Sequence, residues 1–165
     1  MQTIGIPHSF CSYQLSDGAL INVDIIDTAG QEKFRAISVN YLKGTNGVIL
    51  VYDITNKETF DLIQGWIEDI NENNKTNIGK VLIGNKSDLQ EQRDVSVEDA
   101  EKLANDLGCK YFEGSAKTGE NIVEAMDEVT KISYQCYKET EKRNSIRISS
   151  QSHNSDKEKK KKKCC

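Results

Sequence analysis

Apolar positions along the chain follow two rhythms, one of strands and one of helices. Residues 9–15 (Ser-Phe-Cys-Ser-Tyr-Gln-Leu) partly alternate between apolar and polar, and Ala19 to Ile26 follows with β-branched residues. Ser16-Asp17-Gly18 between them is turn chemistry, so the pair predicts a hairpin of two antiparallel strands. Gly47 to Ile54 is a nearly continuous apolar run, as expected of a strand covered on both faces. Lys80 to Gly84 is a second such run, and Lys110 to Glu113 a short third.

Helical spacing fills the intervals. Phe60, Ile63, Ile67 and Ile70 recur on one helical face, with a capping-box pattern, Thr55-Asn56-Lys57-Glu58, just ahead. Ala100, Leu103, Ala104 and Leu107 predict a second helix, opened by Ser96-Val97-Glu98-Asp99 and closed by Gly108. Ile122, Met126, Val129 and Ile132 predict a third. Strands alternating with helices imply an α/β fold around a largely parallel sheet with right-handed crossovers. From about Arg143 the chain turns to Ser, Asn, Gln and Lys, which predicts a disordered tail over 143–165 behind a folded domain over 1–142. There is no internal repeat.

Composition sharpens this outline. A chain of 165 residues with 36% hydrophobic residues and a single Pro can bury one domain's core. No apolar run approaches the roughly 20 residues of a membrane-spanning helix, and no signal peptide is visible. The cysteines at 11, 109, 136, 164 and 165 form neither a disulfide framework nor a metal spacing, which suits a reducing cytosolic setting. Charge is unevenly placed. Residues 141–165 hold nine Lys/Arg against three Asp/Glu, while the remainder is acidic and brings the total to −4. The acidic body offers no basic face for nucleic acid, so the basic tail points to a membrane surface.

Three short motifs each follow an apolar strand: Asp27-Thr28-Ala29-Gly30-Gln31-Glu32, Asn85-Lys86-Ser87-Asp88 and Ser115-Ala116-Lys117. Any one of them could be chance: the second and third alone are ordinary turn and helix-entry sequence, while the first hexapeptide alone already favours function over a bare strand-to-turn transition. Together, in this order and followed by Cys164-Cys165, they resemble a Rab-type small GTPase. Lys33-Phe34-Arg35 continues the first match into a segment similar to the second switch of Rab proteins, and Thr3-Ile4-Gly5-Ile6 resembles the first switch. The chain departs from that pattern at Pro7-His8-Ser9-Phe10 and at Ile26, where most Rabs carry Trp. Both departures touch the surface that partners read. His8 and His153 read as ordinary loop and tail residues.

The resemblance implies a three-layer, Rossmann-like P-loop GTPase core and a role for each matched residue. Thr3 and Asp27 serve Mg²⁺, Gly30 offers its N–H to the terminal phosphate, and Gln31 orients the attacking water, as the corresponding Gln does in Ras. Asp88 accepts hydrogen bonds from the N1 and N2 donors of guanine, which adenine lacks. Asn85 braces the loop and meets the base edge, the Lys86 stem lies along the ring, Ser115 leads into the third loop, the Ala116 N–H points at the guanine O6, and Lys117 flanks the base. Cys164 and Cys165 resemble a doubly prenylated ending, and Lys159 to Lys163 ahead of them add attraction to anionic lipid.

Nothing in the chain matches the Gly-x-x-x-x-Gly-Lys-Ser/Thr phosphate loop. In the family, the first strand, that loop and the first helix precede the first switch, and the first strand lies between the strand ending at Ile26 and the one beginning at Gly47. The chain therefore reads as N-terminally truncated, with those two strand edges left unpaired and GTP hydrolysis impaired. The family-level function is a GTP/GDP switch in vesicle traffic, on the cytoplasmic face of intracellular membranes with a cytosolic pool. Its partners would be effectors, exchange and activating factors, and prenylation machinery. The alternatives are a binding module that hydrolyses nothing, and a fragment without function.

Overall fold

A computed structural model describes residues 8–15, 18–28, 35–74 and 78–161. Strands β1 (His8–Gln14) and β2 (Leu20–Ile26) pair antiparallel, with Phe10 opposite Asp24 and Gln14 opposite Leu20. Strands β3 (Gly47–Asp53), β4 (Gly79–Asn85) and β5 (Lys110–Gly114) form a parallel sheet in that order. All five strands fall where the hydrophobic pattern predicts them. They form two separate sheets: among the described residues no strand pairing joins the hairpin to the parallel sheet. β3 is therefore an edge, and its Val51 is 55% exposed.

The central strand shows why an apolar run reads as a covered strand. Val81 to Gly84 are all buried, and alternate side chains enter two different cores. On one face Leu82 joins Leu50, Tyr52 and Ile54 against helix α3 (Ile63–Asn73) and helix α4 (Val97–Leu107). On the other, Val81 and Ile83 meet Ala125 and Val129 of helix α5 (Ile122–Lys161). The result is three layers. α5 can lie this close because Gly79 has no side chain: a Cβ there would stand 2.8 Å from the backbone nitrogen of Ser133.

Three local features differ from expectation, and a fourth, the first helix, is one that the sequence pattern does not predict. Helix α1 (Arg35–Leu42) has no helical signature in the sequence, because Ile37, Val39 and Tyr41 alternate as they would in a strand. Packing on α3 decides it, and the Thr45 hydroxyl closes its end on the Tyr41 carbonyl at 2.8 Å. The helix expected through Phe60 and Ile70 is divided into α2 (Lys57–Asp61) and α3 at Leu62. Leu62 keeps helical angles, and the i→i−4 bonds run through it from Glu58 to Trp66.

The cap of α2 is Asn56, not Thr55. Asn56 Oδ1 accepts from the Glu58 N–H at 3.0 Å, whereas the Thr55 hydroxyl donates to Asp53 at 2.7 Å. Ser96 and Gly108 cap α4 as expected, Ser96 Oγ accepting from the Asp99 N–H and Gly108 taking φ +61°. Finally, the backbone does not become irregular at 143. α5 continues as helix to Lys161 through a stretch in which Ser and Lys are the commonest residues, Ser a middling helix former and Lys a good one.

Candidate functional site

Parallel pairing puts the ends of three strands side by side. Asp53 is opposite Asn85, and Asn85 is opposite Gly114, so the residues that follow each strand meet at one edge of the sheet. That edge is the carboxyl end, the usual ligand side of such sheets. It gathers Asp53, the segment Asn85 to Asp88, and the segment Ser115 to Lys117.

Hydrogen bonds lock the second and third loops together. Asn85 Oδ1 accepts from the Ala116 N–H at 3.0 Å. The buried Ser115 hydroxyl donates to Asp88 Oδ1 at 2.6 Å and accepts from the N–H groups of Lys117 and Thr118 at 3.2 Å each. Ser87 donates to Glu120 Oε2 at 2.6 Å, and the Glu120 carbonyl accepts from Ser115 N–H. Lys117 Nζ stands 3.5 Å from Asp88 Oδ2. The Ser115 hydroxyl holds the Asp88 carboxyl below its ordinary range against an opposing desolvation, and Lys117 adds to the effect. Asp88 therefore presents an ionised carboxylate at neutral pH.

Two placements bear on the expected roles. In this structure the Ala116 N–H donates to Asn85 Oδ1 at 3.0 Å. The Lys86 ammonium pairs with Asp53 Oδ2 at 2.6 Å, which draws its stem toward the end of β3. Lys86 also holds a left-handed backbone, φ +70°, a turn from strand into the short 3-10 helix Ser87–Gln92. Burial raises the Asp53 carboxyl, but hydrogen bonds from Lys86 and Thr55 outweigh it and leave the group below its ordinary value. Asp53 had a readable signal: it ends an apolar strand just as Asn85 does.

The phosphate side is thinner. Asp27 follows β2, outside the parallel sheet, and is exposed. Thr3, Gly30, Gln31, Cys164 and Cys165 lie outside the described residues. Among the described residues no cluster of three or more His, Cys, Asp or Glu could hold a metal.

A Ras family model matches residues 1–135. The chain belongs to the Ras family. Among its relatives, the GTP-binding protein ypt2 of Schizosaccharomyces pombe is 45% identical over 123 residues, 74% of this chain and 61% of that protein. The Ras-related protein Rab-8B of Homo sapiens is 46% identical over 125 residues, 76% of this chain and 60% of the relative. Rab-8 of Diplobatis ommata is 46% identical, with 76% and 59% covered. The chain thus spans about three-fifths of the length of these relatives.

Proposed function

We propose that this chain recognises the guanine base of GTP and GDP through Asn85, Lys86, Asp88, Ser115, Ala116 and Lys117. We further propose, at the level of the family, a Rab-like GTP-hydrolysing switch in vesicle traffic, with hydrolysis by these 165 residues impaired for want of a phosphate loop. One observation carries the base reading: Asp88 is kept ionised and aimed by the Ser115 hydroxyl. A fixed carboxylate matches two adjacent N–H donors, and guanine has them on one edge where adenine has none. Charge-assisted bonds of that kind contribute about 1.5–3 kcal/mol each.

The phosphate half of the reading assigns Mg²⁺ to Thr3 and Asp27, Gly30 to the terminal phosphate and Gln31 to the attacking water. A Mg²⁺ held by one carboxylate, a hydroxyl, phosphate oxygens and water would suit the exposed Asp27, which belongs to no metal-holding cluster among the described residues. Bound Mg²⁺ would neutralise charge on the transferred phosphoryl group. The sequence contains no Gly-x-x-x-x-Gly-Lys-Ser/Thr loop, so these 165 residues supply more for the base than for the phosphates.

Competition binding tests the proposal. GDP is expected to displace a fluorescent guanine nucleotide where ADP does not, and Asp88→Asn to erode that preference at least about tenfold. Equal competition by ADP overturns it. Guanosine competing as well as GDP would instead identify a base-reading module that makes no use of phosphate.

At the membrane, we infer that Cys164 and Cys165 carry prenyl groups and that Lys159 to Lys163 reinforce the anchor. Two lipid chains bind stably where one binds marginally, and each Lys near an anionic surface adds about 1 kcal/mol. Such an anchor would place the protein on the cytoplasmic face of membranes, in reach of prenylation machinery, effectors, and exchange and activating factors. Among the described residues no helix is long and apolar enough to cross a membrane.

A further inference from the structure

Behind the candidate site runs a line of polar side chains that the motifs do not include. The Tyr52 and Tyr111 hydroxyls are 2.9 Å apart, and the Tyr111 hydroxyl is 2.7 Å from Glu113 Oε1. Glu113 also takes a two-pronged contact from Arg93, Nη1 to Oε1 at 2.6 Å and Nη2 to Oε2 at 2.8 Å. Arg93 Nη1 donates again to the Val95 carbonyl at 3.2 Å.

Proton counting sets the direction of this line. Arg93 holds the Glu113 carboxyl below its ordinary range, so Glu113 is an acceptor only. Tyr111 spends its single proton on Glu113, and Tyr52 must therefore donate to Tyr111. The line runs Tyr52 to Tyr111 to Glu113, with Arg93 closing it.

Its ends lie where they matter. Tyr52 is 1% exposed and fixed in the core between β3 and the helices. Arg93 closes the 3-10 helix that begins one residue after Lys86, and Glu113 is two residues ahead of Ser115. The line crosses β4 at Gly84, the neighbour of Asn85, which pairs with Tyr52 on one side and Glu113 on the other. A Cβ at Gly84 would come within 2.8 Å of the Tyr52 hydroxyl oxygen and 2.9 Å of Ile54 Cγ2, so any other residue would block the crossing.

We propose that Tyr52, Tyr111, Glu113 and Arg93 are positioning residues that hold the Asn85–Asp88 and Ser115–Lys117 loops in register with each other. They touch neither loop's reading face. They set the two strand exits between which that face is suspended. The expected benefit to guanine selectivity rests on the base-recognition reading above; the positioning itself does not.

Amide hydrogen exchange on the full chain without nucleotide separates the two claims. Tyr111→Phe removes one hydroxyl and keeps the ring, and Glu113→Gln removes the charge and keeps the shape. Both are expected to speed exchange at Ala116, Lys117 and Thr118 about tenfold or more, leaving Val81, Leu82 and Ile83 unchanged. Arg93→Lys, which keeps the charge without the fork, is expected to fall between wild type and Glu113→Gln. Unchanged loop amides overturn the proposal, and so does equal acceleration through the sheet, which is the mark of mere loss of stability. If Glu113→Gln fails to fold, Tyr111→Phe carries the test alone. Loop-selective acceleration in a chain that does not discriminate GDP from ADP would sustain the positioning and sink the guanine reading.

Discussion

Glu113 is the residue on which acid should act. Its hydrogen bonds from Arg93 hold it below the ordinary 4.5, despite partial desolvation. The unfolded chain therefore takes up this proton at a higher pH than the folded chain does. The stability it contributes is full above the ordinary value and is lost as pH falls through the folded one. We expect the melting temperature to drop as pH is lowered from about 5 toward about 3, through the ordinary carboxylate range, and Glu113→Gln to flatten that drop. A variant that keeps the wild-type slope in thermal melts would remove Glu113 from this account. Tyr111 is shifted the other way, its hydroxyl raised far above its ordinary value, first by burial and then by its bonds to Tyr52 and Glu113. It stays protonated as the donor that the line requires.

At the scale of elements, caps explain more than propensity does. α4 begins at Ser96, whose Oγ accepts from the Asp99 N–H at 3.1 Å, and carries Glu98 and Asp99 in its first turn against the helix dipole. Its inward face is only Ala100 and Ala104 fully buried, with Leu103 and Leu107 packed at the side. Little buried bulk makes the cap count. Ser96→Ala is expected to cost about 1 kcal/mol, within the range of roughly 0.5–2 for lost caps. Chemical denaturation measures this directly, and a change below about 0.3 kcal/mol would assign the helix start to packing instead.

Across the whole molecule, the parallel sheet and its helices build a frame with one chemical edge, and α5 leads away from it. α5 is tied to the sheet at its beginning, through Ala125, Val129 and the Gly79–Ser133 contact, and runs on to Lys161. The proposed lipid anchor at Cys164 and Cys165 is separate in sequence from the proposed base-reading loops and is expected to depend on them little. Replacing both cysteines with Ser is expected to move the protein from the membrane to the soluble fraction of cells while leaving guanine-nucleotide selectivity as it was. Unchanged membrane fractionation of that double variant would refute the anchor.

The five strands, the α4 helix with both caps and the start of α5 were legible from sequence, because burial on a sheet face or helix stripe imposes periods of two and 3.6. The Ras-family membership was legible too, through Asp27 to Gln31, Asn85 to Asp88 and Ser115 to Lys117. What sequence could not supply were contacts between residues far apart in the chain. α1 carries no helical pattern legible in the sequence, and it packs as a helix on α3. Asp53 takes Lys86, and Asn85 takes the Ala116 N–H, only because parallel pairing puts three strand ends together. Tyr52 and Tyr111, 59 positions apart, meet only because Gly84 leaves room above β4. Local periodicity determines which segments are strands and helices. Which polar atoms face one another is decided by the sheet's order and register, and that order exists only once distant strands have packed.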